Sequence, residues 1–484
     1  MGRHAVLAAA LLVANTAFAG TLQVGPGKQY AKPCAAFAAA QAGDTVEIDA
    51  AGNGTYDGDV CGFNKADLVI RGVNGRAKID AAGKNAQGKA IWVIQGANNT
   101  VENIELSGCT VQDQNGAGIR QEGRNLTVRG CYFHDNENGI LTGADAQSEI
   151  LIETSEFANN GYGDGYSHNM YIGHVGKFTL RSCYSHHAKI GHLVKSRAAQ
   201  NFILYNKLID AADGTASYEI DLPNGGTSVI LGNVIQQGQG TDNSTIVSYR
   251  AEGGSAENPG DDLYFVNNTV VDNRSPAGMF VRVNATTPAV IKNNIFRGAG
   301  QVTNQANAVL ANNLVNTDPL FVAAATYDYH LLTGSPAINA GADPGTGAGM
   351  SLTPASQYVE TAKFEVRPSD GTLDLGAFEF GVGIPPDAGS PAGPDAAAAP
   401  GLDAGTVTAA DATAASGTDA IVALPSDGAV VTTSDASTAA KVDAGGSGEV
   451  DTGCGCSSTG SAAGGLGLAM LALGLLRRRV GSSV

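Results

Sequence analysis

The chain has 484 residues, of which 43% are hydrophobic, only 6% aromatic and 65 are glycine. That is enough apolar matter for a large core and excludes wholesale disorder. A net charge of -17 excludes a general nucleic-acid binder, which would need a strongly basic domain, so only a local basic patch can serve an anionic partner.

Residues 1–19 carry Arg3 and His4, an apolar run from Ala5 to Val13, and small residues at Ala17 and Ala19. This reads as a secretory signal cleaved before Gly20, so the mature protein is expected to leave the cytoplasm through the export machinery. A repetitive stretch follows. Short β-branched segments recur, each ending in a small or amide residue: NIELSGC, LTVRGC, ILIETS, FTLRSC, FILYNK, VILGNV, YFVNNTV, VIKNNIF and VLANNL. With Gly108, Gly130, Thr154, Ser182, Asn206, Asn233, Asn268 and Asn294 as anchors, the repeat is 22 to 35 residues. One supersecondary unit is therefore being stacked.

A second short strand follows a polar turn in each unit, as in GAGIRQ, NGILTG, HNMYIG, GHLVKS and SYEIDL. Helical periodicity is absent, and no segment is long enough for a crossover helix. Parallel strands with an Asn ladder at a bend predict an all-β fold, a right-handed parallel β-helix. Beyond Gly381 the chain has no aromatic residue up to Gly453 and is dominated by Ala, Gly, Asp, Pro, Ser and Thr. Such a segment cannot bury enough apolar surface to fold, and reads as a disordered stalk with Asp at every eighth position from Asp387 to Asp451.

Within the repeats, Gly165 to Ile209 contains no Asp or Glu, although 46 acids in 484 residues would place about four there. The same window holds Lys177, Arg181, Lys189, Lys195, Arg197, Lys207 and five of the eight histidines: His168, His174, His186, His187 and His192. A basic, imidazole-rich band on an acidic protein suits an anionic polymer held by a local field; the alternative is a solvated face with histidines satisfied in the core. Stacking predicts a polar ladder after the first strand of each unit, including His134, Asp135, His186, His187 and Asp210. It also predicts Tyr171, His192 and Glu219 at corresponding positions in successive second strands, to within one residue. Alternation places Glu219 and Asp221 on one side. They either ligate calcium through carboxylate oxygens or pair with Lys195 and Arg197. No other cofactor is suggested.

β-Elimination from a uronic-acid polymer needs a partner for the carboxylate, a base, and a proton donor for the departing oxygen. Lys195 is the best-placed base, since neighbouring cations lower a lysine's pKa, and His192 is the substitute. Arg197 or Asn169 suits the carboxylate, and Tyr171 or Tyr218 the leaving group. His168, His186, His187, Lys189, Asn224 and Arg250 are expected to bind substrate.

Residues Thr21 to Phe380 resemble the pectin-lyase-like right-handed β-helix superfamily. The opening VGPGKQYAKPCAAFAAAQAGDTVEI is similar to its N-terminal cap, and LTGSPAINAG and DLGAFEF are similar to its closing segment. The resemblance implies a capping helix at about Pro33 to Gln41, a cap and first coil over residues 20–65, repeats over 66–320 and a closing segment over 321–380. Cys34 and Cys61 are then placed to lock the cap. Cys109 and Cys131, read as equivalent positions one coil apart, form either a disulfide or a buried thiol stack, with Cys183 unpaired. The segment KSRAAQNFILYNKLID resembles the Lys-Ser…Asn…Asn run of β-helix alginate and chondroitin lyases, which implies Lys195 as base. Two departures stand out. The acidic pair follows Lys195 instead of preceding it, and Pro223-Asn224-Gly225 replaces the family's Arg-His-Gly, leaving Arg197 or Arg250 to substitute. After the linker at 381–453, residues 454–484 hold Cys454 and Cys456, a Gly/Ala/Leu stretch and Arg477 to Arg479. This resembles the myxobacterial C-terminal sorting tag and implies processing and surface display; a membrane anchor is the alternative.

The expectation is a monomeric, exported β-helix protein that binds an acidic polysaccharide and cleaves it by elimination. The rivals are a non-catalytic envelope or adhesion protein and, third, a C5 epimerase or hydrolase.

Overall fold

The computed structural model describes residues 19–381, apart from residues 242, 254–256 and 277. The secretory signal, the Asp-spaced linker and the C-terminal tail expected from the sequence lie outside the described residues.

Three parallel sheets wind around one core. Sheet 1 has 12 strands, from Thr21–Val24 to Val309–Ala311; sheet 2 has 10, from Ala77–Asp80 to Leu314–Val315; sheet 3 has 10, from Cys61–Phe63 to Gln301–Thr303. The chain visits sheets 1, 2 and 3 in turn and then begins the next coil, as in Leu126–Arg129, Tyr132–His134 and Asn138–Thr142. Each strand pairs in parallel with its counterpart one coil away, with a register shift between Asp145 and Glu149 where Asp145–Glu153 meets Val175–Arg181. A full coil is the crossover that a parallel pair requires. Inward positions stack as apolar columns, for example Phe133 on Phe157 with ring centroids 4.9 Å apart.

Buried amide ladders hold the bends. At the bend from sheet 1 to sheet 2, the Asn206 backbone N–H donates to Asn233 Oδ1, Asn233 to Asn268, Asn268 to Asn294 and Asn294 to Asn313, at 2.8 to 2.9 Å. Each Asn Nδ2 also donates to a strand carbonyl, as Asn233 does to Ile203 at 2.8 Å. A bend inside a solenoid cannot reach water, so these side chains satisfy its backbone groups. A second ladder, at the bend from sheet 2 to sheet 3, links Cys109, Asn136, Asn160 and Asn169.

This second ladder corrects the cysteine expectation. Tyr132 pairs with Glu105, so Cys131 lies beside Ile104, whereas Cys109 occupies the other bend with Asn136. The segment NIELSGC is therefore a sheet 2 strand, and the sheet 1 strand of that coil is Asn99–Glu102. Cys109, Cys131 and Cys183 are buried free thiols, each pushed up to about 12 by burial. Cys34 and Cys61 form a disulfide. It ties the helix Pro33–Ala39 to sheet 3, and the helix plugs the first coil with Phe37, whose ring lies 4.6 Å from Phe63 and 5.2 Å from Trp92.

The closing segment runs back along the wall. Ala355 N–H donates to Tyr205 Oη, Lys207 pairs with Glu360, and Asn267 Nδ2 donates to the Asp374 carbonyl.

Asn233→Ala removes the acceptor of Asn206 N–H and the side-chain donor to the Ile203 carbonyl, while Asn268 Oδ1 keeps the backbone N–H of residue 233. Unfolding in urea should show a loss of at least about 2 kcal/mol, given about 1–3 kcal/mol for each buried group left unpaired. A loss below about 0.5 kcal/mol would show that the ladder is dispensable.

Candidate functional site on the outward face of sheet 3

Sheet 3 strands near the middle of the solenoid are only three to five residues long, so a single outward residue dominates each rung. Strand pairing places Arg120, Leu141, Tyr171, Lys195, Asp221, Ser248 and Arg282 in one column, one residue per coil. The inward neighbours Met170, Val194 and Ile220 fill the core, which fixes the outward direction of Tyr171, Lys195 and Asp221. Lys195 Nζ lies 5.2 Å from the Tyr171 ring centroid.

On one flank of this column stand His168, His192 and Tyr218. The His168 and His192 rings stack at 4.4 Å, and His192 meets Tyr218 edge-on at 5.0 Å. Their tautomers follow from the backbone. His168 Nδ1 accepts from His192 N–H at 3.0 Å, and His192 Nδ1 accepts from Tyr218 N–H at 3.4 Å. Each ring therefore carries its hydrogen on Nε2, and that of His192 lies 3.6 Å from Asp221 Oδ2. Burial, with help from Lys195, pulls His192 down to about 3; burial and then His192 push His168 well below the usual histidine range. His192 is thus neutral, with its Nε2–H facing Asp221 from beyond hydrogen-bonding distance, and its lone pair is already used. The expectation of a substitute base is corrected.

Arg197 stands on the other flank. Its Nε–H donates to Tyr171 Oη at 2.8 Å, and its Nη atoms reach Asn224 Oδ1 at 2.6 Å and Glu252 at 2.6 and 3.2 Å. Burial opposes the guanidinium's charge, but Glu252 and Tyr171 outweigh it, and Arg197 stays charged. Because Tyr171 oxygen accepts from Arg197, its own hydrogen is directed elsewhere. Asp221 is pushed up to about 6 by burial, against the pull of Lys195. Glu252 and Asn258 were missed in the sequence. They belong to the turn after Tyr249, where Asn258 Nδ2 donates to the carbonyls of Arg197, Ala198 and Gly225. The 35-residue spacing from Asn233 to Asn268 is the signal that marks this insertion. Arg120 and Arg282 were also missed, since they lie outside the basic window.

Other sequence-predicted residues go elsewhere. Asn169 is buried in the second amide ladder, with its Nδ2 on Ser185 Oγ and the His186 carbonyl, so it is structural. His186 lies on sheet 2, while His187 and Lys189 lie in the following bend, where Lys189 is 3.8 Å from Asp135. Arg250 turns to Glu257 and Asp261 at 2.5 and 3.7 Å, and Asn224 is buried beneath Arg197. The acid-free window is also less basic in space than in sequence. Arg181 pairs with Glu153, Lys207 with Glu360, and Lys177 with Glu149, so neighbouring segments supply the missing acids.

Glu219 and Asp221 do not face one ion. Glu219 precedes the strand Ile220–Leu222 at the bend, where it occupies the inward column between Leu193 and Ile246. Both of its carboxylate oxygens are buried without a hydrogen-bond partner. Burial and then Asp210 raise it well above the usual range, and burial pushes Asp210 up to about 7. Among the described residues, no group of three or more His, Cys, Asp or Glu is placed to hold a metal ion. A cleft of about 520 Å³ lies apart from this column, lined by residues including Asp272, Arg297, Phe321 and Tyr329.

The right-handed β-helix region family matches residues 72–214, which is less than half of the chain. No curated protein matches. Among solved structures, a pectate lyase, Pel9A, aligns at 17% identity with a TM-score of 0.47, covering 71% of this chain and 90% of its own. An alginate lyase from Paenibacillus sp. str. FPU-7 aligns at 13% and 0.35, covering 61% and 99%. A PL6 family polysaccharide lyase, Pedsa3628 from Pseudopedobacter saltans, aligns at 15% and 0.33, covering 62% and 94%. None of these likenesses assigns a role to a residue here. The chain is a right-handed parallel β-helix whose outward sheet 3 column gathers a tyrosine, a lysine and a carboxylate.

The interior acids make stability depend on pH. Folded Asp210 holds a proton that the unfolded chain releases near pH 3.8, so its contribution to stability declines as pH rises from about 4 towards about 7, while the buried neutral His168 and His192 contribute in the opposite sense up to about pH 6.5. Thermal melts across that range should show the Tm of the native chain falling relative to that of Asp210→Asn, in which the histidine contribution is unchanged. Glu219→Leu, which continues the Leu193–Ile246 column, should gain about 1–3 kcal/mol at pH 7 by removing an unpaired buried acid. A difference in Tm between the native chain and Asp210→Asn that stays constant over the same range would contradict the placement of Asp210.

Proposed function

We propose that this protein is an exported β-helix that binds an acidic polysaccharide along the outward face of sheet 3 and cleaves it by β-elimination. The observation that carries this reading is the in-register succession Tyr171, Lys195, Asp221, with His192 and Arg197 on its two sides. A polyanion lying along the column meets Arg120 near one end, Lys195 in the middle and Arg282 at the other. At the middle rung, Lys195 takes the proton from C5 of a uronate, the electrons form the C4–C5 double bond, and the C4–O4 bond breaks. Tyr171 gives its proton to the departing oxygen. Arg197 acts through Tyr171, orienting the phenol, and Asp221 holds Lys195 on the column.

A second reading, glycan binding without turnover, is favoured by one observation. Arg197, the group expected to neutralise the substrate carboxylate, already spends its donors on Tyr171, Asn224 and Glu252.

The chain should be incubated with polygalacturonate, alginate and chondroitin sulfate while the ultraviolet absorbance of the unsaturated uronate is followed. Elimination predicts a growing signal with one of them. Lys195→Ala should abolish the signal while binding remains. Tyr171→Phe should lower kcat about 10²- to 10⁴-fold with little change in KM. Retained binding with no absorbance from any polymer would favour the second reading, and Lys195→Ala with native turnover would remove Lys195 as base.

A further inference from the structure

Two of the histidines that lie off the column make an arrangement of their own. His186 ends the sheet 2 strand Tyr184–His186, where its ring stacks on Tyr184 at 4.2 Å and its backbone carbonyl is held by Asn169. His187 follows with a left-handed φ of 51°, which swings its ring back towards its neighbour. The two Nδ1 atoms face each other at 2.7 Å, with the rings nearly perpendicular at 83°.

Each ring's other nitrogen points at a carboxylate from an adjacent coil. His186 Nε2 is 3.3 Å from Glu156 Oε1, and His187 Nε2 is 3.1 Å from Asp213 Oδ1. An ionised carboxylate only accepts, so each Nε2 must carry the hydrogen. In the neutral rings both Nδ1 atoms are then left as lone pairs aimed at one another. Two lone pairs at that separation repel unless something positive lies between them, either an extra proton or a metal cation. Imidazole nitrogens whose opposite N–H is fixed by a carboxylate are the usual supported ligands of zinc-like ions. A small rotation of either ring opens the gap to suit two bonds of about 2.0–2.1 Å.

We propose that His186 and His187 form a surface site for a divalent d-block cation such as zinc, bound through the two Nδ1 atoms with water completing its shell. Glu156 and Asp213 orient the ligands, so the ion would tie three successive coils together. The site is separate from the sheet 3 column and does not depend on the glycan reading.

Zinc titrated calorimetrically into the chelator-stripped full chain at pH 7.5 should show one equivalent bound. Because Asn tolerates a left-handed φ, His187→Asn preserves the bend while removing the ligand, and should lose that equivalent. His134→Ala, which alters a histidine of the same wall held by Glu105 and Asp135, should keep it. Asp213→Ala should weaken binding about 10- to 100-fold, as loss of a supporting carboxylate does. Nitrogen-15 spectra of histidine-labelled native chain supply a readout independent of the variants: both Nδ1 signals should move on adding zinc. Undiminished zinc binding in His187→Asn, or spectra showing a proton retained between the two Nδ1 atoms at saturating zinc, would overturn the proposal.

Discussion

The structure depends on the hydrogen-bonded stacking of one coil on the next in parallel register. Every strand lies about 4.8 Å from its counterpart, so a residue's neighbours are the residues one coil before and after it. Two requirements enforce this. The inward columns must interdigitate, as Phe133 and Phe157 do, and the bends must find partners for backbone groups that water cannot reach. The Asn206 to Asn313 ladder meets the second by repeating one side-chain geometry rung after rung. Function inherits the same regularity, because any outward column is a row of side chains at fixed spacing.

That regularity explains why the coil architecture was legible in the sequence. Amides recur at the sheet 1–sheet 2 bend because only a short side chain with both a donor and an acceptor can link two rungs and a carbonyl. Where Cys131, Ser155 and Cys183 take the amide's place, the signal weakens, and Cys109 was assigned to the wrong bend. The site was legible to the accuracy of its register. Tyr171 and Lys195 were picked out together with Arg197 and His192, and the four converge. The column's members, however, are Tyr171, Lys195 and Asp221, not Tyr171, His192 and Glu219. The offset is three residues at His192 and two at Glu219, and for Glu219 the bend, rather than strand alternation, sets the side it faces. Glu219 precedes its strand, so the bend turns it into the core although Asp221, two residues on, faces out.

The basic window misled in a second way. A stretch of 45 residues spans nearly two coils, and each coil has three walls. His186, His187 and Lys189 are therefore near Lys195 in sequence yet belong to a different side of the solenoid. Conversely, Arg120 and Arg282 lie far away in sequence and share its column. Charge in a solenoid is read by column rather than by window. Glu252 makes the same point, since an insertion after Tyr249 brings it back over Arg197.

The central claim is that the outward face of sheet 3 acts as one extended binding column. The most direct measurement is the affinity of acidic oligosaccharides of graded length for the native chain and for Arg282→Ala. Arg120 and Arg282 lie six rungs apart, or about 29 Å. Affinity should rise with each added sugar until that span is covered and then level off, with the gain at the longest lengths absent in Arg282→Ala. Affinity independent of length, or unchanged by removing Arg282, would contradict it.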